Sequence, residues 1–365
     1  MAISAPAERV VWNADLGVYL ISGFDEASAV LRGHEWSSDP ANSPLTPPDL
    51  AELPTGLMLF SDPPDHTRLR RLIAPVFAAR AVEGLRPRIA AIVESCLDAL
   101  GEPGQDADLL ADYGYIVPIA VMAELLDVGV EGARVFLDQT PQLVRMLEVD
   151  ADEHDLAQAM AASFEVTMFL TPILTQRRGR PGDDFISAML ASDELSLDEV
   201  LATVILLLAA GHETTANLLG NGALALLQDP AQVPLLHADP ARAVEELLRR
   251  QGPVKLISRT ALTAHQIGGA EVQAGQAVLL LVDQADQDER RWDDASRLDL
   301  SREGPAHLGF GTGIHFCLGA ALARLEASEA LPRLFARFPG ITLLEQPRWR
   351  ESTTFHGLQG LSVRL

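Results

Sequence analysis

Residues 310–319 hold the side chains best suited to chemistry, because three glycines, a histidine and one of the chain's two cysteines fall within ten residues. Strong helix formers follow directly at 320–326, so Cys317 is predicted at or just before a helix N-terminus. Free N–H groups and the positive end of the helix dipole favour an anion there. The pattern therefore predicts a thiol with a lowered pKa, suited to act as a nucleophile or a metal ligand.

Three interpretations of this stretch remain open from its residues alone. It could be a glycine-rich turn around a buried structural cysteine. A phosphate-binding loop would need a strand with suitable glycine spacing before the helix, and none is predicted here. A thiolate ligand to a metal cofactor is the third interpretation. One cysteine cannot complete a zinc or iron–sulfur site, but a single axial thiolate suffices for haem.

A second candidate site lies in the middle of a long predicted helix. A capping-box signal at 196–199 and an Asp-Pro stop at 229–230 enclose about 33 residues, or about 50 Å of helix. Residues 200–210 are almost entirely apolar, so this helix is predicted to be buried. Residues 210–214, Ala-Gly-His-Glu-Thr, interrupt that pattern and place the Glu213 carboxylate in the core. Such breaches of local rules cluster at functional sites.

Basic side chains lie on a shorter predicted helix that opens after the acidic, proline-containing run 62–65. His66 and Arg70 are four residues apart and share one face of that helix. Arg68 and Arg71 point elsewhere and are expected at the surface. This face is the early candidate for binding an anionic group.

The remaining elements predict a mainly α fold. Apolar residues recur at helical spacing through 82–100, 109–126 and 156–176, and a further helix is predicted at 241–250. Short β-prone runs are predicted as strands at 10–12, 18–21, 254–263, 278–282, 341–344 and 361–365. No internal repeat or composition shift marks a boundary. We therefore predict one helix-rich domain over residues 1–365, with a smaller β-sheet portion.

Composition limits the classes of partner. The 365 residues carry a formal net charge of −23, which argues against nucleic acid or an anionic membrane as a general partner. The first nine residues lack the apolar core of a signal peptide, and no uninterrupted apolar run has the length of a membrane span. Cys96 and Cys317 do not form a disulfide framework. We expect a soluble, cytoplasmic protein.

The motif Phe-Gly-x-Gly-x-His-x-Cys-x-Gly at 310–319 resembles the haem-binding signature of cytochrome P450 enzymes. Three other motifs occur in that family's order, namely His66-x-x-x-Arg70 after Asp-Pro-Pro, Ala-Gly-His-Glu-Thr at 210–214, and Glu246-x-x-Arg249. The resemblance runs from about residue 59 to residue 326. It implies the P450 fold and a haem-thiolate monooxygenase that inserts one atom of O2 into a small organic molecule.

The resemblance also implies a role for each motif residue. Cys317 would be the axial ligand of haem b, pushing electron density onto the iron to favour O–O cleavage. Phe310 would pack beside the thiolate, and backbone N–H groups around Gly319 would hydrogen-bond the sulfur. The positions that match the family's haem-carboxylate anchors are His66, Arg70, Arg259 and His315.

On the opposite side of the haem, the resemblance assigns the oxygen chemistry to the long helix. Thr214 would hold iron-bound oxygen while Glu213 and waters relay protons. Ala210 and Gly211 would face the haem, with Gly211 leaving a groove for O2. Glu246 and Arg249 would form a buried structural network near the cysteine loop.

The substrate pocket is inferred from position in the family pattern. We expect a largely apolar pocket lined by Leu206, Ala209, Ala210, Leu256, Ile257 and Phe355. Lys255, the only lysine, is expected at the surface, with contact to a substrate carboxylate as the alternative.

Electrons must come from another protein, because the chain has no flavin or iron–sulfur motif. The resemblance implies a ferredoxin-type partner, which we expect to dock on Arg68, Arg71 and Arg324. Three rival functions remain at this point: a peroxide-driven or rearranging haem-thiolate enzyme, a haem-based sensor, and a cysteine-nucleophile hydrolase.

Overall fold

The computed structural model describes residues 8–46 and 56–365. Within these ranges the α-helices are α1 Phe24–Arg32, α2 Asp65–Ile73, α3 Ala79–Glu83, α4 Arg86–Leu100, α5 Ile116–Leu125, α6 Gly129–Leu143, α7 Glu153–Gly179, α8 Phe185–Leu190, α9 Leu197–Gln228, α10 Val233–Ala238, α11 Pro240–Gln251, α12 Val282–Ala285 and α13 Ala320–Arg337. The strands are β1 Val10–Asn13, β2 Val18–Ile21, β3 Trp36–Ser37, β4 Asp106–Asp108, β5 Leu256–Ala261, β6 His265–Ile267, β7 Ala270–Val272, β8 Ala277–Leu281, β9 Thr342–Leu343 and β10 Ser362–Arg364.

Helix α9 is the central element of the helical layer. Ser196 accepts a hydrogen bond from the Glu199 N–H, and the Glu199 side chain accepts one from the Ser196 N–H, so the predicted capping box is present. The helix runs for 32 residues and packs against α5, α6, α7, α11 and α13. Its apolar sequence is buried on nearly all sides, as the sequence predicts.

The main sheet has the strand order β1-β2-β8-β5-β3. The predicted hairpin of β1 and β2 is antiparallel and joins the sheet through a parallel pairing of β2 with β8. Strand β5 pairs antiparallel with β8 and carries Arg259 opposite Val278. The sheet therefore brings the chain's first strands against residues from its last third. Strands β4, β10 and β9 form a second sheet, and β6 and β7 form a third.

Some predicted helices are interrupted. The helix predicted over 82–100 is two helices that meet at 84–85, where Pro87 at the second position of α4 favours a new start. The stretch 109–126 begins as a π-helical turn that contains Gly114. This glycine packs closely against α9, since a Cβ added to it would lie 3.5 Å from the Ala216 carbonyl oxygen. Helix α6 was not predicted, because Gly132 and Pro141 weaken its helical signal.

Two helices, α7 and α9, are long and apolar enough to pass a length-and-composition test for a membrane span. In α9, 67% of the relevant window is buried inside the protein, as in the core helix of a folded domain. In α7 the corresponding share is 22%.

Candidate active site

A cavity of about 470 Å³ lies between α9 and the loop that precedes α13. It brings together most of the residues predicted for the site. Those that line it are Arg70, Leu206, Ala210, Gly211, Thr214, Leu256, Ile257, Arg259, Phe310, His315, Cys317, Gly319 and Phe355. The motifs are far apart in sequence, so the fold alone makes them neighbours.

The cysteine loop approaches the rest of the chain closely at one glycine and leaves open space at two others. Gly313 has a φ of +76°, and a Cβ there would lie 2.2 Å from the carbonyl oxygen of Leu31. Gly311, at φ +65°, and Gly319 have no atom within 4 Å of an added Cβ. Both of these line the cavity. Glycine therefore permits the turn at 313 and leaves room for a bulky group at 311 and 319.

Cys317 lies just before α13, as predicted, with its N–H donating to the Phe310 carbonyl at 2.9 Å. The prediction of a lowered thiol pKa is wrong for the free side chain. Burial raises the pKa of Cys317, and the Gly319 N–H, Arg70 and Arg324 only partly oppose that effect. The local environment thus does not by itself activate a nucleophile, whereas direct coordination would stabilise the thiolate.

Four nitrogen-bearing side chains converge near the cavity, and in the described chain the carboxylate that acts on two of them, Asp62, does so without forming an ion pair. Helix α2 presents His66 and Arg70, β5 presents Arg259, and the His315 ring lies 4.2 Å from the His66 ring. Both ring nitrogens of His66 and Nε2 of His315 are buried without a hydrogen-bond partner among the described residues. Within residues 8–46 and 56–365, neither arginine forms an ion pair. Arg259 Nη1 instead donates to the neighbouring Ser258 carbonyl at 2.7 Å.

The electrostatics of these groups agree with a missing anion. Burial lowers the pKa of Arg70, lowers that of Arg259 to about 10, and lowers that of His315 to about 3, with Arg259 adding to the His315 effect. The pKa of His66 falls for the same reason, and Arg70 adds to it. Buried polar atoms without partners are rare in native proteins, so this array fits a ligand that carries buried carboxylates. The residues present therefore fit a haem.

The face of α9 that meets the cavity carries Leu206, Ala210 and Thr214 at four-residue spacing, with Gly211 beside them. Thr214 Oγ1 donates to the Ala210 carbonyl at 2.6 Å. Met122 Cε, at 3.6 Å, is the single atom within 4 Å of a Cβ added at Gly211. In the described part of the chain, Ala209 does not line the cavity. The expectation for Ala209 was wrong, because that position lies about 100° round the helix from Ala210.

Among the described residues, Glu213 does not line the cavity, whereas its neighbour Thr214 does. Its carboxylate is 2% exposed and pairs with Arg350 at 2.5 Å between Oε1 and Nη2. Asn217 Nδ2 donates to the same oxygen at 3.2 Å. The ion pair with Arg350 offsets part of the free-energy cost of burying the Glu213 carboxylate. His212 is buried, with Nε2 3.0 Å from the Tyr115 carbonyl oxygen.

The Glu246–Arg249 pair forms the buried network expected of it. Arg249 Nε and Nη2 meet the two Glu246 oxygens at 2.8 and 2.9 Å, and Nη1 donates to the carbonyls of Asp286 and Ala295. The Asp286 carboxyl accepts the Leu308 N–H at 2.6 Å. Helix α11 is thus tied to the start of the cysteine loop.

The cavity residues missed by sequence reasoning include two buried carboxyl groups, Glu326 and Glu148. Glu326 of α13 is 4% exposed, its Oε2 has no hydrogen-bond partner, and burial raises its pKa to about 8. The sequence could have indicated this buried carboxyl, because Glu326 lies between Leu325 and Ala327 on a helix with many apolar residues. Glu148, in the loop before α7, is 8% exposed and lines the cavity. The residues around Glu148 in the sequence do not indicate that its carboxylate is buried.

The three arginines predicted to form a docking patch each have an acidic partner. Arg68 bonds the Glu199 carboxylate, and Arg71 pairs with Glu194 at 2.5 Å. Arg324 Nε meets Glu245 at 2.5 Å, and its guanidinium lies 4.5 Å from the Phe310 ring centroid.

Lys255 is half-buried and donates through Nζ to the Ser352 carbonyl. Among the residues that the structure describes, Lys255 is not part of the cavity lining. The alternative of a substrate contact therefore has no support from its position.

The family described as Cytochrome P450 has a sequence model that matches residues 227–356. Cytochrome P450 107B1 of Saccharopolyspora erythraea is 42% identical over 84% of this chain and 76% of its own. Cytochrome P450 monooxygenase PikC of Streptomyces venezuelae is 40% identical over 98% of this chain and 88% of its own. The ligand-free crystal structure of Mycobacterium smegmatis CYP164A2 matches with a TM-score of 0.89 at 38% identity, covering 98% of this chain and 93% of that one.

This chain belongs to the cytochrome P450 family. The predicted fold, mainly α with a smaller sheet portion, is confirmed. Members of the family bind haem b through a cysteine thiolate, and the protein is an oxidoreductase of the monooxygenase class. The hydrolase interpretation of Cys317 is therefore excluded.

Proposed function

We propose that this protein activates O2 with two externally supplied electrons and oxidises a small, largely apolar organic substrate. The observation that carries the proposal is that Cys317 and the Thr214 face of α9 line one cavity. Beside it lie two arginines and two histidines that form no ion pair in the described chain. In this proposal Cys317 is the iron ligand, and His66, Arg70, Arg259 and His315 hold the haem carboxylates.

The chain's own contribution on the thiolate side is to position and tune Cys317. The Gly319 N–H would lower the basicity of the sulfur by hydrogen bonding. Phe310 lines the same wall and is held there by the Arg324 guanidinium. Bound haem supplies an iron centre at which O2 is reduced and its O–O bond is cleaved.

On the α9 side we assign proton handling to Thr214 and Glu213. Because Thr214 Oγ1 already donates to the Ala210 carbonyl, it presents acceptor lone pairs to the cavity and can hold a proton-bearing water there. Glu213, behind the helix, would relay protons together with waters. It reaches the cavity only by exchanging its Arg350 contact for water.

The substrate is assigned by the cavity walls. Leu206, Leu256, Ile257 and Phe355 supply apolar surface. Relatives named 6-deoxyerythronolide B hydroxylase and Vitamin D(3) 25-hydroxylase are 35% and 39% identical to this chain, which supports a hydroxylation of a largely apolar compound.

We assign electron delivery to a ferredoxin-type protein docking at Arg68, Arg71 and Arg324, in the cytoplasm. Each arginine would exchange its present carboxylate partner for one of the ferredoxin's.

The test of the central proposal is the absorption spectrum of the reduced protein under carbon monoxide. A red-shifted, thiolate-type band is expected from the wild type. Its loss on Cys317→Ser, with Cys96→Ser unchanged as the control, would assign the ligand. The proposal fails if the wild type gives no such band.

A further inference from the structure

The loop at 144–152, between α6 and α7, meets the C-terminal segment 352–355 at the wall of the cavity. Ser352 Oγ donates to Glu148 Oε1 at 2.6 Å, and the Thr354 N–H donates to Glu148 Oε2 at 3.1 Å. The Val149 N–H donates to Thr354 Oγ1 at 2.9 Å. These bonds hold the Glu148 side chain in one position at the cavity wall.

Glu148 is a buried carboxylate without a cationic partner in the described ranges 8–46 and 56–365. The two basic side chains that act on it electrostatically have other partners. Lys255 Nζ donates to the Ser352 carbonyl, and Arg145 forms a two-point pair with Asp155 at 2.8 and 2.9 Å. Lys255 and Arg145 therefore act on Glu148 only at longer range. Two neutral donors satisfy only part of a carboxylate's acceptor capacity, and a buried charge without a cation in direct contact is costly.

The positive and negative side chains that line the cavity lie on different walls. Arg70 and Arg259 are the cations on its wall within the described chain, and both are assigned to the haem carboxylates. Glu326 lies on α13, the helix that follows Cys317. Among the described residues, the charges that remain for the substrate walls are Asp39 and Glu148, both negative. Asp39 Oδ1 is already used as a helix cap for the Ala41 N–H at 2.9 Å.

We propose that the substrate carries a cationic amine remote from the carbon that is oxidised, and that Glu148 binds this ammonium group. The inference deepens the proposed function and rests on it, because Arg70 and Arg259 are counted as haem anchors. The apolar walls of the cavity take the body of the molecule, and the carboxylate fixes its orientation through a charge-assisted contact.

The experiment compares three probes that share a ten-carbon chain: decyltrimethylammonium, decanol and decanoate. Binding to the purified holoprotein is measured by calorimetry below the micellar concentrations, and the haem spin-state shift is a second readout. A quaternary ammonium cannot ligate iron, so for that probe both readouts report the pocket; for decanol and decanoate, whose oxygens can ligate iron, the comparison uses calorimetry. The cation is expected to bind about tenfold or more tightly than decanol, and decanoate is expected to bind more weakly than decanol.

Glu148→Gln keeps the shape, one acceptor oxygen for the Thr354 N–H and an NH2 group that can donate to Ser352 Oγ, but removes the charge. It should abolish the preference for the cation and leave decanol binding unchanged. Asp39→Asn is the matched control and should retain the preference. Ser352→Ala loosens the loop contact without changing charge and should affect all three probes equally.

Several outcomes overturn the inference. Equal wild-type affinities for cation and alcohol would remove it. Equal weakening of both by Glu148→Gln would show that Glu148 only holds the loop. Loss of the preference in Asp39→Asn alone would move the anchor to Asp39. The carbonmonoxy spectrum of the same preparation separates the two proposals. A thiolate band without a cation preference refutes this inference alone, and absence of the band refutes the proposed function.

Discussion

At the scale of single residues, the two neighbours Glu213 and Thr214 have different surroundings. Thr214 lines the cavity, whereas Glu213 is turned about 100° away and paired with Arg350. In the proposed function the hydroxyl is therefore available at the cavity surface, and the carboxylate would contribute only when its ion pair opens.

Replacing Thr214 tests the role of that hydroxyl. Thr214→Val keeps the branched shape but removes Oγ1, so proton delivery should fail and reduced oxygen should leave as hydrogen peroxide. Peroxide released per electron pair, with a surrogate reductase, is expected to rise about tenfold or more. Thr214→Ser is the control and should stay near the wild type. Equal peroxide release from Thr214→Val and wild type would contradict the assignment.

Glu326 makes stability depend on pH. Burial raises its pKa from an ordinary 4.5 to about 8, so between these values the folded protein binds a proton that the unfolded chain has lost. Stability should therefore fall as pH rises through this window, by up to about 1.4 kcal/mol per pH unit. Denaturant unfolding at pH 5.5 and 7.5 measures the slope.

The matched variant for this slope is Glu326→Gln, which stays neutral at both pH values. Its slope should be smaller than that of the wild type, and the difference isolates Glu326 from other buried carboxyls such as Asp286, whose pKa burial raises to about 7. Identical slopes in the two proteins would show that Glu326 does not titrate in this range.

At the scale of elements, α11 secures the cysteine loop through Arg249. Arg249→Lys keeps a charge but loses the two-point contact to Glu246 and the bonds to the carbonyls of Asp286 and Ala295. A loss of about 3 kcal/mol in the free energy of unfolding is expected, with reduced haem content after purification.

Arg242→Lys on the same helix is the control, because that side chain is exposed and pairs with Asp239 and Glu303 at the surface. Its change should stay within about 0.5 kcal/mol. Equal losses from the two substitutions would mean that burial of the Arg249 network is not what stabilises this region.

Elements were predictable from sequence where one strong local signal defined them. The capping box and apolar run gave α9, and the β-prone runs around a turn gave the pairing of β1 with β2. The directions in which side chains point were harder to predict. One helical step separates Ala209 from Ala210, and the partner of Glu213 lies 137 residues away at Arg350, so neither could be inferred from local periodicity.

The same limit applies to the site. The motif residues 310–319 and 66–70 were found because their residue types are unusual together. Glu148 was not found, because its character depends on Ser352 and Thr354, which reach it only in the folded chain. The raised pKa of Cys317 was missed because burial outweighs the helix N-terminus in a way that sequence does not reveal.

At the scale of the whole molecule, a net charge of −23 repels an acidic electron donor, so docking needs a local excess of positive charge. Arg71 is more exposed than Arg68, the other α2 arginine assigned to the docking site, with 59% of its side chain accessible to solvent. Arg71→Glu should slow reduction by a ferredoxin, and the wild-type rate should fall as salt rises.

Arg364→Glu is the matched control, since it makes the same charge change at an exposed site on β10. Slower reduction in both variants would point to overall repulsion and not to a local patch. A wild-type rate that rises with salt would lead to the same conclusion.

The parallel pairing of β2 with β8 also determines when the protein can mature. Tyr19 lies opposite Val278, and Phe355 lines the same cavity as Cys317. Strands β1 and β2 can therefore join the sheet only after the distant residues of β8 have been synthesised. We expect the haem pocket to form only when the segments through Phe355 have joined the fold, so that cofactor uptake follows this long-range strand pairing.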